Sequence, residues 1–233
     1  MDLTQRLAIW AIPVVFAIVV HEVAHGWAAL HLGDSTAKSM GRLSLNPLTH
    51  IDPIGSLLVP AVMLLLPGGF LFGWAKPVPV NPARLKQPRR DMVFVALAGP
   101  FANLMMLLLW AFITKTGLLL GGIQTTTGYV LIHMGVAGIF INAVLMMLNL
   151  LPIPPLDGSK VVEGLLPVRQ AITYNKLGQY GFPILILLMV TGVLGVVLWP
   201  MITLALTGGS LAAAIPGEVL NFAFYNLFGL TAP

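Results

Sequence analysis

Residues 7–32, LAIWAIPVVFAIVVHEVAHGWAALHL, decide the fold. Glu22 is the only member of this stretch with a fixed charge, and the rest is almost wholly apolar. As a helix rising about 1.5 Å per residue, it is long enough to cross a hydrocarbon core of about 30 Å. Inside it lies His21-Glu22-Val23-Ala24-His25. Positions four apart share one helix face, so His21 and His25 can aim imidazole nitrogens at one metal ion. Glu22, next to the first histidine, can act on water there as a general base. A carboxylate and two imidazoles are costly to bury in an apolar helix, so an intramembrane metal site is the expected explanation.

Composition points the same way. Hydrophobic residues make up 58% of the 233-residue chain and charged residues 9%, against roughly 25% charged in ordinary soluble domains. No cysteine is present, which removes disulfides and thiolate zinc sites and leaves nitrogen and oxygen as metal ligands. The net charge of +4 is small, and no nucleic-acid signature is visible. Asp2 beside Arg6, with no small-residue cleavage site after the apolar run, predicts that the first segment is retained rather than removed as a signal peptide.

Four apolar runs, Leu7–Leu32, Met92–Thr114, Tyr129–Leu151 and Phe182–Leu206, reach crossing length. A fifth, Ile54–Trp74, is interrupted by Pro60 and by Pro67-Gly68-Gly69, and a sixth, Leu211–Leu230, carries Pro216, Glu218, Asn221 and Asn226 and reads as interfacial or weakly spanning. The expected architecture is an all-α polytopic membrane protein forming one domain over 1–233. It is a helical bundle of four to six membrane segments with a re-entrant, partly extended hairpin. Core helices are expected near 7–32, 92–114 and 129–152, the re-entrant segment near 54–80, and C-terminal membrane segments near 182–230. Lys76-Pro77-Val78-Pro79-Val80-Asn81-Pro82 must be extended, because alternate prolines forbid helix. It is either a stiff loop or a free edge for an extended peptide.

The second constellation is Asn149-Leu150-Leu151-Pro152-Ile153-Pro154-Pro155-Leu156-Asp157-Gly158. Its prolines end the preceding helix, and unwound backbone at membrane depth belongs in a protein-lined or watery cavity. Asp157 there is either a turn residue at the interface or the third ligand that a His-His site lacks. Glu163 is an alternative carboxylate. His50 and Asp52 read as parts of a structured loop, with support of the metal as the alternative. His133 reads as a histidine snorkelling to an interface, and Asn142 as helix-packing glue or part of a polar cavity.

Depth and side follow from distances. Leu7 to His21 is about 21 Å of helix, so the metal lies nearer the far end of the first crossing. Asp157 follows the end of the Tyr129–Leu151 helix, and the two ends share a side only if Ile54–Trp74 dips in and returns. Lys38, Arg42, Lys76, Arg84, Lys86, Arg89, Arg90, Lys160, Arg169 and Lys176 then fall on one side, with Arg6 and Lys115 on the other. That bias marks the first side as cytoplasmic. The expected location is the cell membrane, with multiple crossings and an active site nearer the cytoplasmic face.

HExxH in a membrane helix, Gly99-Pro100-Phe101-Ala102-Asn103 opening another, and Asn149-x-x-Pro-x-Pro-x-x-Asp-Gly stand in series over nearly the whole chain. In these motifs the chain resembles the site-2 protease family of intramembrane zinc metalloproteases, and in particular its short bacterial members without a PDZ or CBS domain. The resemblance implies one zinc per chain held by His21, His25 and Asp157, with Glu22 as catalytic base. It further implies that Asn149 steadies the oxyanion, that Asn103 lies near the substrate backbone, and that residues 72–80 receive the substrate as an added strand. The implied activity is zinc-dependent cleavage of transmembrane segments of substrate proteins within the lipid bilayer. Two other classes remain open: a zinc-binding membrane transporter or sensor without proteolytic activity, and a membrane protease whose third ligand is a glutamate.

Overall fold

The computed structural model describes residues 1–58 and 75–230, and among these no β-strand occurs. Helix α1 spans Leu3–His31 and begins in a capping box, with Asp2 accepting from Gln5 N–H and the Gln5 side chain accepting from Asp2 N–H. After the short α2 (Thr36–Ser39) come α3 (Pro88–Leu119) and α4 (Thr126–Asn149). Pro88 suits the first turn of α3, where its missing N–H has no intrahelical partner to lose. Thr125 caps α4 by accepting from Gly128 N–H at 3.1 Å. The remaining helices are α5 (Asp157–Leu165), α6 (Val168–Asn175), α7 (Gly178–Val190), α8 (Val193–Ala212) and α9 (Gly217–Phe228).

Among the described residues, α1, α3, α4 and α8 are long and apolar enough to cross a membrane. The chain is a polytopic helical membrane protein. Large apolar side chains such as Leu7, Phe16, Phe101, Phe112 and Leu204 face outward, as lipid contact requires. Buried Leu107, Trp110 and Ala111 of α3 meet Ile139, Ala143 and Met146 of α4. Glycines set the closeness of that pair: a Cβ on Gly138 would lie 2.2 Å from the Trp110 ring, and one on Gly135 2.0 Å from Thr114 Oγ1. Small residues at such contacts let helix backbones approach in a bilayer, where dispersion rather than water drives association. A second cluster joins α1 (Ile9), α4 (Ile132, Val136, Ala137) and α9 (Ala223, Leu227).

Two sequence expectations are corrected here. The single crossing expected over Phe182–Leu206 is two helices, because Gly192 takes a left-handed φ of 75° between α7 and α8. At 13 residues, α7 is about 20 Å long and falls short of the core thickness. His133 does not snorkel. It is fully buried about two turns inside α4, with Nδ1 on the Tyr129 carbonyl at 2.8 Å and its ring against Tyr129 and Phe222, because α9 folds over it.

The segments flanking the expected re-entrant hairpin lie together. Lys86 N–H donates to Leu32 O at 3.1 Å, and Lys76 N–H to His50 O at 2.8 Å. The end of α1 and the approach to α3 thus lie next to each other. The turn expected at Pro67-Gly68-Gly69 lies outside the described residues.

Candidate metal centre

Two helices distant in sequence bring three ligand atoms to one point. His21 and His25 come from α1, and Asp157 is the first residue of α5. The two Nε2 atoms are 3.1 Å apart, and each lies 3.3 Å from Asp157 Oδ2. Hydrogen-bond roles say what this triangle is. His25 Nδ1 lies 2.7 Å from the Val95 carbonyl oxygen, which only accepts, so Nδ1 carries the proton. His21 Nδ1 lies 2.6 Å from Asn103 Oδ1, and that amide is oriented by its Nδ2 donating to Ala17 O at 3.2 Å. In neutral rings both Nε2 atoms are then lone pairs, and Asp157 Oδ2 is buried without a donor.

Three acceptors facing one another repel unless a cation lies among them. Zinc at about 2.0–2.1 Å from nitrogen and oxygen in tetrahedral geometry places its ligand atoms about 3.3 Å apart. The observed edges match, so the donor set fits zinc. Among the described residues, His21, His25 and Asp157 are the group whose ligand atoms lie within 4.8 Å of one another. They form one cluster at one depth, unlike a transport path strung across the bundle.

Helical spacing builds this precision. Residues 17, 21 and 25 make one line on α1, and 95, 99 and 103 make the facing line on α3. Val95 O holds one imidazole, Asn103 Oδ1 holds the other, and Gly99 between them makes the room. A Cβ on Gly99 would lie 2.5 Å from His21 Cε1 and from His25 Cε1 and Nε2. Asp157 is delivered by the turn after α4. Gly158 fits under Leu150, where a Cβ would be 2.3 Å from the carbonyl oxygen, and Tyr174 OH donates to Pro152 O at 2.8 Å. A carboxylate at the first turn of α5 also meets the positive end of the helix dipole.

Glu22 points to the extended segment 75–81. Val78 N–H donates to Glu22 Oε2 at 2.8 Å. Pro77 and Pro79 have no N–H to offer, so donors are sparse along this segment and most of them are used. Lys76 N–H goes to His50 O, and Asn81 N–H goes to Asp34 Oδ2 at 2.6 Å. From the other side Arg42 Nη2 donates to Lys76 O at 2.8 Å and Pro77 O at 3.3 Å. Asp34 is solvent-inaccessible and also accepts from Thr36 N–H and Oγ1. Burial works to raise its pKa, but these hydrogen bonds from Thr36 and Asn81, with Arg84 nearby, outweigh it and hold the carboxyl below its ordinary value.

The other sequence candidates separate clearly. Asn149 is the last residue of α4, half-buried, with Nδ2 donating to Leu145 O at 3.0 Å. Glu163 pairs with Lys160 Nζ at 2.9 Å and accepts from Asn175, beside a cavity of about 270 Å³ between α3, α5 and α6. It is not in the ligand cluster. His50 Nε2 donates to Ser44 O at 2.8 Å, and Asp52 accepts from Gly55 N–H at 2.7 Å, so both order the loop after α2. Asn103, expected near substrate, has its amide engaged by protein on both atoms. Asp34, Arg42 and the Val78 contact escaped sequence reading. The available signal was a charged pair flanking the turn after α1, with Asn81 able to end a proline-limited strand.

Apolar crossing helices around a His-His-Asp cluster and a neighbouring glutamate define an integral-membrane metalloenzyme. The sequence profile of peptidase family M50 matches residues 9–192. The chain belongs to that family, the site-2 proteases, which are zinc metalloproteases. It is 38% identical over 196 residues to the protein named "Putative zinc metalloprotease YwhC" of Bacillus subtilis (strain 168), covering 82% of this chain and 84% of that one. Rip2 of Mycobacterium tuberculosis (strain ATCC 25618 / H37Rv), which carries the same designation, is 31% identical over 210 residues, 88% of this chain and 76% of its own. Rip2 of Mycolicibacterium smegmatis (strain ATCC 700084 / mc(2)155) is 29% identical over 178 residues, 76% of this chain and 64% of its own. No solved structure matches the chain significantly.

Proposed function

We propose that the chain is an intramembrane endopeptidase that binds one zinc ion through His21, His25 and Asp157 and cuts transmembrane segments of protein substrates. The observation that carries this is the triangle of three acceptor atoms without a donor between them, set one residue from Glu22. Zinc held there supplies Lewis acidity, polarising a peptide carbonyl and acidifying water. Glu22 removes the proton from the attacking water and returns it to the nitrogen of the leaving amine. Its Oε2 is held by Val78 N–H, which leaves Oε1 to move the proton. Asn149 Nδ2 carries a second N–H beyond the one given to Leu145 O, and it steadies the developing oxyanion. The substrate helix unwinds locally, because a helix hides its peptide bonds, and lies as an extended strand beside residues 76–80. The site opens toward the cytoplasm, the side to which the expected hairpin, most of it outside the described residues, assigns ten of the twelve Lys and Arg residues.

Cleavage of a single-span substrate in proteoliposomes tests the assignment. Wild type should cut it, and Glu22→Gln should lose at least about 10²–10⁴-fold in rate while keeping about one zinc per chain. Glu22→Gln protein that holds zinc and works within about threefold of wild type would overturn the assignment of the base.

A further inference from the structure

We propose that Asn142 is a positioning residue for the zinc centre, acting through Asn103 on His21. This rests on reading His21 as a zinc ligand. Asn142 touches no ligand atom itself. Its Nδ2 donates to Gly138 O at 2.8 Å, one turn back on α4. A carbonyl only accepts, so that contact fixes which way the Asn142 amide faces and leaves Oδ1 directed at α3. Oδ1 accepts from Asn103 Nδ2 at 2.9 Å. The same Nδ2 donates to Ala17 O at 3.2 Å, and Asn103 Oδ1 faces His21 Nδ1 at 2.6 Å.

The sequence of contacts has one direction. Gly138 O orients Asn142, Asn142 and Ala17 O together orient Asn103, and Asn103 requires the His21 proton on Nδ1. His21 Nε2 is thereby kept as a lone pair facing Asp157 and His25. Without Asn142 Oδ1, the Asn103 amide keeps only its longer anchor at Ala17 O. A reversed amide would present N–H to His21 Nδ1 and move the ring proton to Nε2, which closes the ligand position. Asn103 and Asn142 are both fully buried, so no solvent stands ready to replace the lost acceptor. The α3–α4 contact, by comparison, is packed by Leu107, Trp110 and the glycines facing them.

The test uses the full-length protein in detergent. Zinc affinity is measured by chelator competition, the His21 tautomer by ¹⁵N-histidine spectra of metal-free protein, and folding by thermal unfolding without metal. Asn142→Leu should weaken zinc binding by about 10–100-fold and shift His21 toward the Nε2–H tautomer, while the metal-free protein, though less stable, still unfolds in one cooperative transition. Asn142→Asp is the rescue: burial keeps its carboxyl neutral, able to donate to Gly138 O and accept from Asn103, so affinity should stay within about threefold of wild type. Asn142→Leu protein that binds zinc within about threefold of wild type, or Asn142→Asp protein as weak as Asn142→Leu, overturns the proposal. Should Asn142→Leu fail to fold, Asn142→Ala carries the same expectation without added bulk. If wild type itself binds no zinc, the zinc assignment falls, and the tautomer shift, read without metal, still decides the role of Asn142.

Discussion

Gly99→Ala is the substitution that puts most of the site at risk with the fewest atoms. A Cβ there would lie 2.5 Å from His21 Cε1 and from His25 Cε1 and Nε2. Ordinary carbon contacts begin near 3.4 Å, so each ring must retreat by about 0.9 Å. Neither ring can retreat alone, since Nδ1 of each is bonded to an atom of α3, Asn103 Oδ1 or the Val95 carbonyl. Either those bonds break or α3 backs away from α1 as a body. Metal sites tolerate ligand displacements of about 0.2 Å, several times less than the methyl demands. Zinc affinity should fall by about 10–100-fold, and proteolysis by about 10²-fold or more, the usual result of a misplacement near 1 Å. Stability should drop by about 1–3 kcal/mol from overpacking, partly offset by the roughly 0.5–1 kcal/mol that alanine gains over glycine in a helix. Gly195→Ala and Gly208→Ala are the controls, since a Cβ at either position meets nothing within 4 Å. They should leave zinc and activity unchanged. Zinc per chain at a fixed free concentration, measured beside the proteoliposome cleavage rate, reads both effects. If Gly99→Ala keeps zinc and activity within about threefold of wild type, the close approach of α3 to the two imidazoles is not what holds the site.

Asp157→Ala should lose both zinc and activity, whereas Glu163→Gln, which disturbs only the Lys160 and Asn175 contacts, should keep both; the reverse pattern in a metal assay would move the carboxylate ligand to Glu163. Asp34, with its carboxyl held below the ordinary value, stabilises the fold fully above the unfolded-state pKa near 4, and that contribution is lost as pH falls through the lower folded value. Removing the charge with Asp34→Asn should therefore cost about 1–3 kcal/mol near pH 7, and the gap to wild type should narrow toward pH 3 in thermal unfolding; a gap independent of pH would refute the charge as the cause. In this cysteine-free chain, Asn46→Cys and Gln87→Cys should resist an impermeant thiol reagent applied to intact cells while Thr125→Cys reacts. Outside labelling of Gln87→Cys would overturn the re-entrant reading and, with it, the shared depth of the His25 and Asp157 helix ends.

What could be read from the sequence was whatever repeats with a helix's own period or is punctuated by proline. The α1, α3 and α4 crossings and the His-His pair belong to that class, because their signals are local. The end of α4 at the proline cluster and the extended backbone at 76–81 do as well, although Pro82, expected to be extended too, opens a short helical turn through Arg84, because proline suits the first turn of a helix. The break at Gly192 was hidden because one glycine inside an apolar run is compatible with continued helix, and only its positive φ reveals the corner. The burial of His133 depended on α9 returning to cover it, which no local pattern encodes. The contacts of Asn103 were equally hidden. Its spacing from Gly99 is one helical turn, but the identity of the facing atoms depends on how α3 meets α1.

That meeting explains why the polar groups of this apolar chain cluster so tightly. Each of these buried imidazoles, away from water, needs an internal acceptor for its one N–H. On α3 these acceptors are a backbone carbonyl and an amide side chain, two turns apart, with a glycine between them. The same accounting governs Glu22. Its carboxylate is met by a backbone N–H from a segment in which prolines have removed the competing donors, and that segment is tied at both ends by His50, Arg42 and Asp34. Moving residues 76–81 would therefore move Glu22, while leaving the histidines, which answer to α3, where they are. The two histidines and Glu22 are positioned by different parts of the chain. Substitutions at Asp34 or Arg42 should accordingly lower the cleavage rate with zinc affinity intact, and substitutions along the 95–99–103 line should lower both.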